Sequence, residues 1–405
     1  MTNPFEEHPA VSKFRQYLQI NTEQPDPAYY DCKNFLLEYA KALELPSWSY
    51  ECVAGKPIVG MTLEGTDPSL PSLFLWSHTD VTSTVPQDWT HPPFSAYKDN
   101  QGNIFARGAQ DMKSIGIQYL EAIRQLRQTG KKSFLRTVHI VFGPDEEIGS
   151  YDGMEKYVHT QHFKDLNVGF ALDEGLASPT NTYRVFIGQR CTWWFKVICP
   201  GNHGHGSRML ENTAGPKLAS LLHSFSEFRE KQWQLLEANP QLTLSDITSI
   251  NLTKVEGGNL TNLIPSEFIA HFDLRVARKD SVDEVEAKLA EWCKKAGSDV
   301  TYEFKHKMVN QEVTSTSKDN PWWQAFSGAL KEEKCDFDTE ISVSGIDARY
   351  MREVGIPAIG FSPIINHPLV SGWHTHDEFL NETTFLRGIQ LYMKIIHRLA
   401  DVPKE

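Results

Sequence analysis

Long apolar runs are missing from this sequence. No stretch approaches the roughly 18 consecutive apolar residues of a membrane-spanning helix, so no span is expected. The opening MTNPFEEHPAVSKFRQYLQI has no basic segment followed by an apolar one, so no secretory signal is expected. A basic stripe is missing too. The formal net charge is −12, which speaks against a nucleic-acid partner and otherwise only to solubility. No CxxC pair occurs. The six cysteines, Cys32, Cys52, Cys191, Cys199, Cys293 and Cys335, are scattered and read as reduced thiols in the cytosol. The sequons at Asn251 and Asn259 are then not expected to carry glycans. No repeat or low-complexity tract is visible. Hydrophobic residues make up 40% and charged residues 23%, enough apolar material for more than one core in 405 residues.

Periodicity organises the rest. Helical spacing runs over residues 8–20 and 29–45, the second through Phe35, Tyr39 and Leu43. Strand-like runs follow at SLFLW (72–76), TVHIVF (137–142) and VGFAL (168–172). Between the first two, the segment after Asp111 puts Ile115, Tyr119, Ala122 and Leu126 on one helical face, with Gly130 at its C′ position. Strands alternating with helices indicate an α/β layer.

The pattern changes near residue 190. Strand, helix, two strands, helix and strand are expected at 193–199, 214–236, 248–255, 267–276, 282–296 and 300–304. That is the βαββαβ order of a ferredoxin-like unit. The expected division is therefore 1–188, an inserted domain 189–310, and 311–405 completing the first. A closing helix starts near Asn381, a suitable N-cap, with Phe385, Ile389, Tyr392 and Ile396 facing inward.

Five segments carry acids or histidines: SHTDV (77–81), GAQDMK (108–113), PDEEIG (144–149), LDEG (172–175) and HTHDE (374–378). Three of the first four directly follow expected strands, and ligands collect at the carboxyl ends of strands in open α/β sheets. Two neighbouring cations repel each other, so a bridging carboxylate is needed, together with imidazole or carboxylate ligands and an open position for water. His78, Asp111, Glu147, Glu174 and His374 supply two imidazoles and three carboxylates. Nitrogen and oxygen ligation suits zinc and admits cobalt or manganese.

Alone, each residue has an ordinary explanation. A lone histidine is more often a satisfied surface or core residue. Asp111 before a helix favours the dipole. Paired Glu146–Glu147 reads as a solvated turn. Joint occurrence at strand ends and helix starts is what these readings leave unexplained. Period two sets Phe170, Leu172 and Glu174 on one side and Asp173 on the other, which favours Glu174 as the ligand if the strand persists. Asp80, two residues after His78, is expected to return to the second imidazole nitrogen and orient the ring.

These segments, together with ARGAQDMK, ALDEG and GHGSR, resemble the M20 family of metallopeptidases and amidohydrolases over nearly the whole chain. The resemblance implies a zinc-peptidase-like catalytic domain, with a mixed central sheet flanked by helices, and a lid or dimerisation domain inserted in it. It implies two zinc ions per subunit. One would be held by His78, Asp111 and Glu174, the other by Asp111, Glu147 and His374. His374 is preferred to His376 because the family histidine stands four residues before a glutamate, here Glu378. The peptide after Asp111 would be cis. Glu146 would be the general base, and the substrate an N-acyl-L-amino acid. His205, in GNHGHGSR (201–208), would donate to the oxyanion, across a homodimer in dimeric members; its loop reads equally as a flexible glycine-rich segment. For the substrate carboxylate, Arg349 is the first choice because a guanidinium offers two parallel hydrogen bonds. Asn262 and Arg275 are the others. Losing Arg349 is expected to weaken substrate binding and hardly affect folding. The chain has Ile346–Asp347 where family members often show Thr-Asp. A dipeptidase or carboxypeptidase using the same metals, a metal-binding scaffold without catalysis, and a pure dimerisation module are the alternatives.

Overall fold

The computed structural model describes residues 7–368 and 374–404. The first six residues of the opening read above for a secretory signal lie outside them. Among the described residues, no helix is long and apolar enough to cross a membrane, and all six cysteines are free thiols.

Two compact units emerge. One comprises Met1–Ile187, Glu312–Glu340 and Ile346–Glu405; the other comprises Gly188–Gln311 and Ile341–Gly345. The short Ile341–Gly345 piece is a difference from the sequence division, which left it with the final stretch. Nothing in its composition marks the change of side.

The first unit is built on an eight-stranded sheet. Its order is Ser47–Val53, Lys56–Leu63, Val138–Gly143, Ser72–His78, Val168–Asp173, Ala358–Phe361, Tyr183–Gln189 and Phe337–Ser342. The four middle strands run parallel. Antiparallel neighbours flank them, so the sheet is mixed. Alternation along the middle strands feeds two cores. Leu73, Leu75, Ile140, Phe142, Phe170 and Leu172 join one, with helices Pro9–Leu18, Lys113–Gln128 and Glu382–Ala400. Phe74, Trp76, Val141 and Ala171 join the other. The flanking strands Ser47–Val53 and Phe337–Ser342 were passed over in the sequence reading. The first alternates exposed polar with half-buried apolar residues, a signal that was available, whereas the second mixes the two.

The closing helix begins as its sequence requires: the Asn381 side chain accepts from the Thr383 amide. The helix after Asp111 starts at Lys113, and the Asp111–Met112 peptide is cis.

The second unit has a four-stranded antiparallel sheet in the order Ser249–Glu256, Glu267–Val276, Cys191–Pro200 and Thr301–Lys307. Helices Ala214–Glu237 and Val282–Ala296 cover one face through Leu221, Phe225, Leu289 and Cys293. With these helices the chain order is βαββαβ, the ferredoxin-like arrangement. Trp193 is fully buried in this core rather than lining an opening.

Candidate metal centre

The parallel strands deliver three of the chemical segments to one sheet edge. Ser72–His78 ends in His78. Val138–Gly143 leads into Glu146 and Glu147. Val168–Asp173 leads into Glu174. Asp111 comes from the turn before helix Lys113–Gln128, where Gly108 has a φ of +86° and a side chain would strike Val81.

Two ligand-like groups result, and they share one residue. His78, Asp111 and Glu174 present atoms within 4.8 Å of one another, and so do Asp111, Glu147 and His374. His78 Nε2 lies 2.9 Å from Asp111 Oδ1 and 3.5 Å from Glu174 Oε1. His374 Nε2 lies 3.4 Å from Asp111 Oδ2 and 3.1 Å from Glu147 Oε2. Ligand atoms bound tetrahedrally at about 2.0–2.1 Å would be about 3.4 Å apart, so these separations suit a metal ion in each group. The two oxygens of Asp111 face different histidines, as a bridge requires. His78, Asp111 and Glu174 are buried, whereas the His374 side chain is 44% exposed.

The charge balance also calls for cations. Burial and the Asp111 charge push Glu147 up to about 7. Burial and Asp111 likewise raise Glu174 well above the carboxylate range. Asp111 goes the other way: burial would raise it, but hydrogen bonds from His374 and His78 hold it well below. For His374, burial would lower the imidazole, yet contacts with Asp111 and Glu147 push it up to about 10. Several carboxylates converge here, and protonation or bound cations can relieve their repulsion.

Glu146 points into the same edge and keeps 10% of its side chain exposed. Burial raises its pKa well above the ordinary value, helped by Asp347 and Glu147 and opposed by His78 and Arg349. That direction suits a group that must take up a proton.

Asp80 differs from expectation. The nearest acceptor to His78 Nδ1 is the backbone carbonyl of Asp80, at 2.9 Å; the carboxylate is 3.7 Å away. A carbonyl only accepts, so Nδ1 carries the proton and Nε2 offers its lone pair to the cluster. The Asp80 carboxylate instead accepts from the amides of Glu146, at 3.1 Å, and Glu147, at 3.2 Å. The ring is still oriented by residue 80, through its main chain. Asp173 accepts from the amides of Glu174 and Ala348 at 2.7 and 2.6 Å, so it anchors the chain rather than facing the cluster.

Arg349, first choice for the substrate carboxylate, lies within the fold. It is 6% exposed. Nη2 donates to the Gly149 carbonyl at 3.2 Å and the Tyr350 hydroxyl at 3.3 Å, and Nη1 lies 3.8 Å from Glu146 Oε1. Its buried Nε has no partner among the described residues. Losing such a residue must disturb folding, which corrects the earlier expectation.

In the second unit, Gly204–His205 pairs with Leu263–Ile264, which sets Asn262 beside the His205 loop. The Gly206 amide donates to the Asn262 carbonyl at 2.7 Å, an approach that leaves little room for a side chain. The Ser207 amide donates to His205 Nδ1 at 3.2 Å, so Nε2 carries the proton and is a donor. Arg275 is already engaged: its fork meets both oxygens of Asp273 at 2.6 and 2.8 Å. Period two puts these two residues on one strand face, a pairing the sequence reading passed over. The same guanidinium fork is therefore not open to a substrate carboxylate.

The sequence reading missed two groups. Glu378 served only to choose between histidines, yet it accepts from Arg107 Nη1 and from the amides of Gly108 and Gln110. Its spacing from a candidate ligand was the available sign, and the structure adds that it is wholly buried. Gln24 and Tyr29 reach the Glu146 turn through Asp80 and Asp145, and no local motif marks them.

Comparison with known proteins agrees with this geometry. The profile of peptidase family M20/M25/M40 matches residues 74–398. The aminoacylase-1 of Mus musculus is 47% identical over 401 residues, covering 99% of this chain and 98% of that protein. An M20 family metallo-carboxypeptidase from Sulfolobus solfataricus superposes with a TM-score of 0.78 at 17% identity, covering 97% of this chain and all of that one. The YXEP protein of Bacillus subtilis, a dinuclear metal-binding peptidase of the M20 family, gives a TM-score of 0.65 at 16% identity, with 96% of each chain covered. The family match spans most of the sequence, and the chain belongs to peptidase family M20/M25/M40.

Proposed function

We propose that this chain hydrolyses N-acyl-L-amino acids to a free L-amino acid and a carboxylate at a two-metal centre. The observation that carries the two-metal reading is Asp111, whose two oxygens face His78 and His374 separately. The substrate class rests on similarity over 99% of the chain to aminoacylase-1.

In this reading His78, Asp111 and Glu174 hold one ion, and Asp111, Glu147 and His374 the other. Zinc is the metal proposed, with cobalt or manganese able to substitute. Two such ions would lower the pKa of a bound water to about 7 and polarise the acyl carbonyl. Glu146 takes a proton from the attacking water as the new carbon–oxygen bond forms. It returns that proton to the amine nitrogen as the carbon–nitrogen bond breaks. His205, with its Nε2–H free to donate, stabilises the oxyanion. Arg349 receives the substrate carboxylate, its Nε, without a partner among the described residues, supplying one of the donors. Asn262, beside the His205 loop, is a further candidate for substrate binding. Arg275 serves as a strand-face partner of Asp273.

The chain is further proposed to act in the cytosol as a homodimer formed through the second unit. Free thiols throughout the described residues support the compartment.

The deciding experiment pairs substrates with metal analysis. Metal-loaded protein should cleave N-acetyl-L-methionine and leave unmodified dipeptides largely intact. Glu146→Gln should bind two metal equivalents while kcat falls by about two to four orders of magnitude. Preference for dipeptides would replace the substrate class. Near-normal turnover in Glu146→Gln would end the base assignment.

A further inference from the structure

The turn that carries Glu146 and Glu147 is short. It is a single 3-10 turn, Glu146–Ile148, bounded by Asp145 at φ +70° and Gly149 at φ +104°. Left-handed backbone at a non-glycine residue is costly, so something must hold Asp145 there. No sheet ladder or long helix does so.

Its own turn contributes, the Ser150 amide donating to the Asp145 carbonyl at 2.7 Å, and a buried polar assembly reaches it from the beginning of the chain. The Tyr29 hydroxyl donates to Asp145 Oδ1 at 2.6 Å and accepts from the Asp145 amide at 2.9 Å. One oxygen atom thus clamps both the side chain and the main chain of the left-handed residue. Gln24 Nε2 donates to Asp80 Oδ2 at 2.8 Å and to the Tyr29 hydroxyl at 3.2 Å. The two Asp80 oxygens then take the amides of Glu146 and Glu147. Lys56 donates to the remaining Asp145 oxygen and, at 2.9 Å, to Asp152. Tyr29 opens helix Tyr29–Ala42, so the clamp is fixed to a regular element. Tyr29, Gln24, Asp80 and Asp145 are all buried. None of the first three is adjacent in sequence to the turn they control.

We propose that Tyr29, with Gln24, is a positioning residue for Glu146 and Glu147, acting through Asp145 and Asp80. The proposal rests on the reading of Glu146 as base and Glu147 as metal ligand. Tyr29 touches neither substrate nor metal in this scheme. Its hydroxyl sets the direction in which two consecutive carboxylates leave the turn, and small errors there are costly to a preorganised site.

The test is Tyr29→Phe, which removes one oxygen and keeps the ring. Metal-loaded variant should show kcat for N-acetyl-L-methionine reduced about 10–100-fold, with KM within about twofold. Metal-stripped variant titrated with Co²⁺ should bind one equivalent about tenfold more weakly, because Glu147 rides on the same turn. Adding Asp145→Gly should restore part of kcat, since glycine takes a positive φ without penalty. The double variant also serves if the single one does not fold. Wild-type kcat and Co²⁺ binding in Tyr29→Phe, with only the melting temperature lowered, would overturn the proposal. So would a double variant no better than the single one. Glu146→Gln is assayed alongside. If it stays active the base reading falls, and the Co²⁺ titration alone then decides the role of Tyr29.

Discussion

Glu378 and Arg107 form an ion pair at 2.8 Å with both side chains buried. The second Glu378 oxygen accepts from the Gln110 amide at 2.7 Å, one residue before the proposed bridge. Glu378 also stands four residues after His374. It therefore ties the Asp111 turn to the segment carrying the distal histidine. Glu378→Gln keeps the shape but removes the charge that Arg107 needs. Metal affinity should fall about 10–100-fold, as for other groups that orient ligands. Competition with a chromophoric chelator measures this. Unaltered affinity would reduce Glu378 to a folding role.

Arg349 combines two demands, and two variants separate them. Arg349→Ala removes a buried donor from the Tyr350 hydroxyl and leaves the Gly149 carbonyl with that hydroxyl as its donor, so stability should drop by about 1–3 kcal/mol. Arg349→Lys keeps a cation but loses the fork. Its KM for N-acetyl-L-methionine should rise about tenfold or more, equal to about 1.4 kcal/mol. Steady-state kinetics that show the same KM for the lysine variant would take Arg349 out of carboxylate recognition.

His205 can be placed by complementation. His205→Ala and Glu146→Gln should each be inactive alone. Mixing them under subunit exchange should return activity, up to about a quarter of wild type for a random mixture, if the histidine works on the neighbouring subunit. A mixture as inactive as its components would put His205 in the same chain as its base, or outside catalysis.

His139 gives a pH signature remote from the metal ligands. Its Nε2 donates to the Leu166 carbonyl at 3.1 Å, and Nδ1 meets the Thr62 hydroxyl at 3.0 Å. Burial pushes its pKa down to about 4. An unfolded histidine titrates near 6.5. Between these values the unfolded chain takes a proton that the folded chain refuses. Stability is therefore lost as pH falls through that window, by about 1.4 kcal/mol per unit, and is unaffected above it. Denaturant unfolding of metal-free protein from pH 7 to 4.5 should show a steeper loss for wild type than for His139→Gln. Equal slopes would mean that His139 accepts the proton while folded.

Sequence made the centre legible because its chemistry sits at places that periodicity reveals. His78 ends an alternating strand, and Glu174 directly follows another, although that strand stops at Asp173, so the period-two argument for its side does not reach it. The helix after Asp111 and the N-cap at Asn381 were equally readable from local pattern. What stayed hidden depends on contacts across long sequence distances. Tyr29 reaches Asp145 over 116 residues, and Arg107 reaches Glu378 over 271. Main-chain acceptors are hidden in another way: any residue could have supplied the carbonyl that Asp80 gives to His78. Burial of Arg349 follows from packing around Tyr350 and Gly149, which no nearby periodicity announces.

The central position of Ala358–Phe361 has a consequence for synthesis. This strand lies beside Val168–Asp173 in the middle of the sheet, yet about 190 residues after that neighbour must leave the ribosome before it can be laid down. Until then the growing polypeptide has a gap in its main sheet and holds His78, Asp111, Glu147 and Glu174 without His374. A nascent chain can complete neither the layer nor the proposed pair of ion sites until the segments carrying Ala358–Phe361 and His374 emerge, so a ribosome stalled before residue 358 would hold a protein with an open hydrophobic edge for chaperones to cover.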